Sequence, residues 1–363
     1  MENYIISGIQ QIGIGVEDFK TAWKYYIDVF SMDVKILEDD TVAELMLPYT
    51  GNKPQKRHAA IVINMQGGGG FEIWQYSQRK PQRVGFDINL GDLGIFAAKI
   101  KSRNVAQTYE SFSKNPAVKL LGGLSKSIDG NDAFFMEDPF GNVFQIVYDE
   151  SIFRDEHRSS GGPVGGIVGV TNIERALPVY QEILGYDKII ADVTGNFEDL
   201  AGLKSGTQKF RRVLLTHSKP RKGNFAHLFG TSYIELVQAL EREPKKIYEG
   251  RYWGDPGFIQ LCFDVKNMDA LKATCENMGY PFTVDSSVKH SDTNSFDMGE
   301  ASGHFTYIED VDGTLIEFVE THKIPLIKKL GIYLNLRKRN PKKPLRDWML
   351  KALRFGRVKA GDL

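Results

Sequence analysis

Along Ala301 to Glu320, ASGHFTYIEDVDGTLIEFVE, apolar and polar positions alternate with a period of two. His304, Thr306 and Ile308 interleave with Phe305, Tyr307 and Glu309, the pattern of a half-buried strand. Asp310-Val311-Asp312-Gly313 predicts a tight turn, with Gly313 free to take positive φ. The return strand sets Leu315, Glu317 and Val319 on one face. Glu317 is then a carboxylate among apolar residues, where an unpaired charge is costly; it needs a metal, a cationic partner or water. The same phrase occurs at Ala133 to Asp149, AFFMEDPFGNVFQIVYD, with Gln145 standing where Glu317 does. A repeated strand–turn–strand signals internal duplication.

The pattern predicts four copies of one unit, each a strand, a helix and about three strands. The first opens at Gln11–Val16 and continues into a helix with Asp18 as N-cap and Ala22, Tyr26, Val29 and Phe30 on its apolar face. Strands follow near Val42–Leu47 and Ala59–Met65, and the unit closes at Gly70–Trp74, which contains Glu72. The second opens at Arg83–Ile88, with a helix from Asp92 that stacks Leu93, Phe96, Ala97 and Ile100, and closes at Gln145. The third opens at Gly165–Val170, has Asn172 as a helix cap and Pro178 as a kink, and closes at Tyr233–Val237 around Glu235. The fourth opens at Gln260–Val265, carries Met268, Leu271, Cys275 and Met278 on its helix, and closes at Glu317. The polar, Gly-rich stretch 151–163 reads as a linker.

These phrases resemble the vicinal oxygen chelate superfamily of glyoxalases, bleomycin-resistance proteins, epimerases and ring-cleaving dioxygenases. The matching segments are IGIGVEDFKTAWKYY, VGVTNIERALPVYQEILGY, MEDPFGNVFQIV and IEDVDGTLIEFVE, and the resemblance spans roughly residues 8–322. It implies an α+β fold in which βαβββ modules pair into two open-barrel domains. The expected division is a first domain at 1–150, a second at 164–322 and a basic C-terminal extension at 323–363.

Composition narrows the reading. With 42% hydrophobic and 25% charged residues, the 363-residue chain is ordinary for a globular protein. Cys262 and Cys275 are too few for a disulfide framework and are expected in the core. No signal-like or membrane-length apolar run is evident, so a cytoplasmic location without integral membrane association is the expectation. Net charge is zero but uneven: residues 323–363 hold 13 Lys and Arg against 2 Asp and Glu, leaving 33 basic and 44 acidic residues before them. That tail predicts an amphipathic helix with Leu345, Trp348, Met349, Ala352 and Leu353 on one face, docked on its own protein or on a partner subunit of a homodimer. Nucleic acid has only the charge in its favour.

The resemblance also places candidate ligands on opening and closing strands. In the first domain these are Gln11, Glu72, Arg83 and Gln145; Arg83 cannot coordinate, so an Arg83–Glu72 pair without metal is expected there. In the second domain they are Gly165, Glu235, Gln260 and Glu317. Glu235, Gln260 and Glu317 are oxygen donors expected to hold a divalent cation (Mn, Mg, Ni, Zn or Fe), with His304 and Glu317 as proton carriers. The insertions at Glu241–Gly257 and Thr283–Ala301, with Tyr248, Arg251, Tyr252 and Trp253, are candidate walls of a pocket. The implied activity is a lyase or isomerase that stabilises an enediolate on a small oxygenated metabolite. The alternatives are a metal-free binding protein, or a dioxygenase, which needs two His and a carboxylate around iron.

Overall fold

The computed structural model describes residues 4–289, 296–297, 302–327 and 332–363. Part of the second predicted insertion, 290–295 and 298–301, lies outside them. The first module comprises β1 (Ile5–Gly15), α1 (Phe19–Phe30), β2 (Val34–Ala43), β3 (Gln55–Ile63) and β4 (Gly70–Tyr76). The second comprises β5 (Gly94–Ser102), α2 (Val105–Ser113), β6 (Lys119–Lys126), β7 (Asp132–Glu137) and β8 (Val143–Tyr148). The third runs through β9 (Pro163–Gly169), α3 (Ile173–Pro178), β10 (Lys188–Gly195), β11 (Phe210–Thr216), the single turn α4 (Ala226–Phe229) and β12 (Tyr233–Ala239). The fourth contains β13 (Gly257–Lys266), α5 (Met268–Asn277), the short β14 (Val284–Asp285) and β15 (Phe296–Asp297), then β16 (Ser302–Glu309) and β17 (Leu315–Ile327). The tail adds β18 (Ile332–Asn335) and α6 (Asp347–Lys351).

Local chemistry sets the helix starts as expected. Asp18 accepts from the Thr21 amide at 2.9 Å and Asn172 from the Arg175 amide at 2.9 Å. Pro178 ends α3, and the chain continues directly as a π-helical turn, Val179–Ile183. The second module departs from expectation. Residues 94–102 form strand β5 rather than a helix, and the helix begins only after the Asn104 cap. From Ile95 to Ser102, β5 is buried at every residue, so both its faces are covered, and its apolar residues Ile95 to Ala98 and Ile100 imitate a helical stripe.

Two curled sheets result, and the modules pair differently from the expected order. One sheet runs β14-β16-β17-β13-β1-β4-β3-β2, joining modules four and one; the other runs β10-β11-β12-β9-β5-β8-β7-β6, joining three and two. The seams are antiparallel: β1 lies against β13 and β5 against β9. Sequence neighbours touch instead through helix and turn. Tyr26 of α1 donates to Asp138 at 2.8 Å, and Tyr180 donates to Asp310 at 2.8 Å, so the repeated Glu-Asp turns perform the same task in both halves. A shared apolar core, including Trp23, Tyr26, Phe30, Phe144, Phe258 and Phe263, fills the space between helices and sheets.

The tail folds back on the body, as its charge suggests. Leu345 and Leu350 are buried against Val34, Ile63 and Phe229. His227 contacts Asp347 at 2.8 Å, and Arg357 pairs with Asp33 at 3.4 Å and with Glu156. Among the described residues no helix is long and apolar enough to cross a membrane.

Candidate functional site

Pairing module one with module four changes which side chains meet. In β1 and β4 the register sets Gly13 beside Glu72, with Gln11 two residues earlier on the same face. In β13 and β17 it sets Cys262 beside Glu317, with Gln260 two residues earlier. The floor of this cup therefore carries Gln11, Glu72, Gln260 and Glu317. The Gln260 amide lies between the two carboxylates, its Nε2 donating to Glu72 Oε2 at 2.8 Å and to Glu317 Oε2 at 3.4 Å. Gly13 makes room for it: a Cβ there would stand 2.5 Å from Gln260 Cδ.

The electrostatics of this floor are unusual. Burial, and then the Glu72 charge, push Glu317 up to about 8, against the hydrogen-bonding neighbours Cys262, Tyr307 and Gln260. Glu72 is also raised, chiefly by burial, with Arg57 pulling the other way. Both shifts have one direction, because two buried negative charges side by side are unfavourable and each carboxyl is pushed towards its protonated form. Gln11 Oε1 and Gln260 Oε1 are both buried and have no hydrogen-bond partner among the described residues. A half-turn of the Gln260 amide would exchange its Nε2 for that oxygen. Two carboxylates and two orphaned amide oxygens fit a hard divalent cation, which would satisfy all four. Among the described residues no three His, Cys, Asp or Glu cluster, so such a centre needs its amides.

The other cup is filled. Glu235, the closing carboxylate of β12, is fully buried, with Lys99 Nζ 2.6 Å from Oε2 and Arg212 Nε 2.7 Å from Oε1. Lys99 also donates to Gln145, and Arg212 is clamped by Asp199 at 2.8 and 2.9 Å. Burial alone would raise Glu235, but Arg212 and Lys99 hold it down at about 2. An ammonium and a guanidinium thus occupy the position a cation would take.

Four expectations are corrected here. Glu235 lies in the other sheet from Gln260 and Glu317 and does not join them. Glu72 faces Gln260, while the exposed Arg83 pairs with Glu17; the first module, expected to lack a metal site, contributes half of the four-residue floor. Module two supplies Lys99, not Arg83, to the interior. His304 pairs in register with Glu320, whereas Tyr307 pairs with Glu317; strand alternation therefore turns His304 to the opposite face, where its Nε2 contacts Asp285 at 2.8 Å. The signal for the true pairing was present in the sequence: modules one and four both open with Gln and close with Glu, and modules two and three do not.

A cavity of about 1450 Å³ rises from this floor. Trp253 of the first insertion lines it, packed edge-on against Trp74 with ring centres 4.6 Å apart. Of the four insertion residues expected as walls, Trp253 is the one that lines the cavity, and Arg251 is spent on the Ile247 and Pro256 carbonyls. Arg57, held by Asp39 at 2.9 Å, stands beside the centre.

Residues 166–296 match the family model described as the Glyoxalase/Bleomycin resistance protein/Dioxygenase superfamily. That stretch, which covers β9 to β15, is similar to this superfamily. Its fold agrees with that of a point variant of glyoxalase I from Zea mays, 15% identical with a TM-score of 0.52, over 86% of this chain and 93% of that one. It agrees equally with a putative dioxygenase from Bacillus subtilis, 13% identical with a TM-score of 0.52, over 87% and 86%. At these identities the likeness is one of fold. No curated protein matches the chain by sequence. The vicinal oxygen chelate architecture, two cups from four modules, is the one described above.

Proposed function

We propose that the cup of modules one and four is a metal-dependent active site of lyase or isomerase type, with Gln11, Glu72, Gln260 and Glu317 as the ligands. The observation that carries this reading is the pair of coupled carboxylates beside two buried, unpartnered amide oxygens. All four donors are oxygen, which suits Mg²⁺ or Mn²⁺. Bound there, a divalent cation would supply Lewis-acid polarisation of substrate oxygens.

The chain's own groups support proton transfer at a carbon beside those oxygens. Glu72 and Glu317 are the basic groups at the floor, and either would accept that proton and return it. Tyr307, pushed well above its ordinary value by burial and the two carboxylates, stays protonated and serves as a hydrogen-bond donor. The walls around this floor are largely apolar. A dioxygenase finds less support, because no His stands at any of the four positions and an iron triad needs two. The test is elemental analysis of protein purified without chelator. About one equivalent of divalent metal in the wild type, lost in Glu72→Gln/Glu317→Gln, is the expected result. No metal in the wild type, even after addition of Mn²⁺ or Mg²⁺, would leave the metal-free binding protein as the reading.

A further inference from the structure

The cavity above the centre is much larger than a small metabolite requires. Pockets that enclose a drug-sized ligand measure about 300–1,000 Å³, against about 1450 Å³ here. Its polarity is also graded. The floor holds Gln11, Glu72 and Glu317 beside the Arg57–Asp39 pair, while the walls are apolar: Leu37 and Ile61 from β2 and β3, Phe305 and Val319 from β16 and β17, and Met349 and Leu353 from the tail. At the mouth, Trp348 and Phe355 are 63% and 80% exposed. The tail is fixed in this position by the buried Leu345 and Leu350 and by the Val358 amide on the Asp33 carbonyl at 2.8 Å. The chain thus adds a segment beyond its four modules to extend an apolar wall over the floor.

We infer that the ligand is amphipathic, with an oxygenated head at the four-residue centre and a long alkyl body lying along this wall towards Trp348 and Phe355. Only the position of the head rests on the function proposed above; the body is read from the wall itself. Apolar surface of this extent repels water, and each methylene laid against it raises affinity.

Straight-chain 1,2-diols of four to twelve carbons are suitable probes, being uncharged and carrying two adjacent oxygens. Their binding is followed by tryptophan fluorescence, since Trp253 and Trp348 both line the cavity. Titrations below the micellar range are run on the full chain, once in chelator and once loaded with Mn²⁺. The expected result is a Kd that falls roughly fourfold per added methylene, with the same slope in both conditions. In Met349→Ser/Leu353→Ser the longest diol should weaken at least tenfold and the shortest should be unmoved. A Kd independent of chain length in the wild type would overturn the inference, whatever the variant does. A slope that persists in chelator from a protein that never binds Mn²⁺ would support the alkyl site while the metal reading fails. Mn²⁺ binding without a slope would do the reverse.

Discussion

Two closing carboxylates at equivalent positions meet opposite partners, and their chemistry diverges accordingly. Glu235 meets Lys99 and Arg212, and its folded pKa falls to about 2 from an ordinary 4.5. A depressed carboxylate contributes stability that is full above about pH 4.5 and is lost as pH falls through about 2. Glu235→Ala should therefore cost about 3–5 kcal/mol, because it strands two buried cations; urea unfolding at pH 7 reads this. Glu317 meets Glu72 and rises to about 8. Its sign is reversed: in chelator its contribution is fully present below about pH 4.5 and is lost as pH rises through about 8. The melting temperature of the metal-free protein should decline over that interval, and Glu317→Gln should flatten the decline. A decline unchanged in the variant would contradict the assignment. Both residues are recognisable from sequence as carboxylates on apolar faces, and Gln260 is legible beside Glu317; Lys99 and Glu72 are not, since they come from modules that sequence order does not pair with these.

At the scale of the element, strand alternation and one glycine decide the site. Gly13 is the position where the Gln260 amide crosses β1, so Gly13→Ala drives a Cβ to within 2.5 Å of that amide. Mn²⁺ affinity should fall at least tenfold while the melting temperature moves by only a few degrees; calorimetry and thermal melting on the same sample separate the two. Tyr26→Phe and Tyr180→Phe each remove a buried donor from a turn aspartate and should each cost about 1–3 kcal/mol. Periodicity located the Asp18 and Asn172 caps, the Pro178 break and both Glu-Asp turns, because each depends on near neighbours. It failed at β5, whose two buried faces erase the alternation that marks a strand. It also misplaced His304, which sits one residue out of phase with Phe305 and Tyr307 on the lining face.

For the whole molecule, the decisive feature is that each sheet is built from modules that are not a simple first and second half. Because β1 needs β13 and β5 needs β9, residues 1–150 expressed alone should lack cooperative unfolding, whereas the two halves mixed should restore it. An independently folding first half would refute this arrangement. The four-module composition was legible in the repeated phrases. The pairing is signalled only by the shared Gln opening and Glu closing of modules one and four, and sequence order points the other way, because neighbours in sequence are usually neighbours in a sheet, and here they meet through helix and turn instead.

We assign the proposed metal site to modules one and four, with an ion-paired counterpart in modules two and three. Calorimetric Mn²⁺ titration of chelator-stripped protein tests it directly, comparing the wild type with Glu72→Gln/Glu317→Gln and with Glu235→Gln. One site per chain in the wild type and in Glu235→Gln, absent from Glu72→Gln/Glu317→Gln, is the predicted result. Binding that survives in Glu72→Gln/Glu317→Gln and disappears in Glu235→Gln would contradict it.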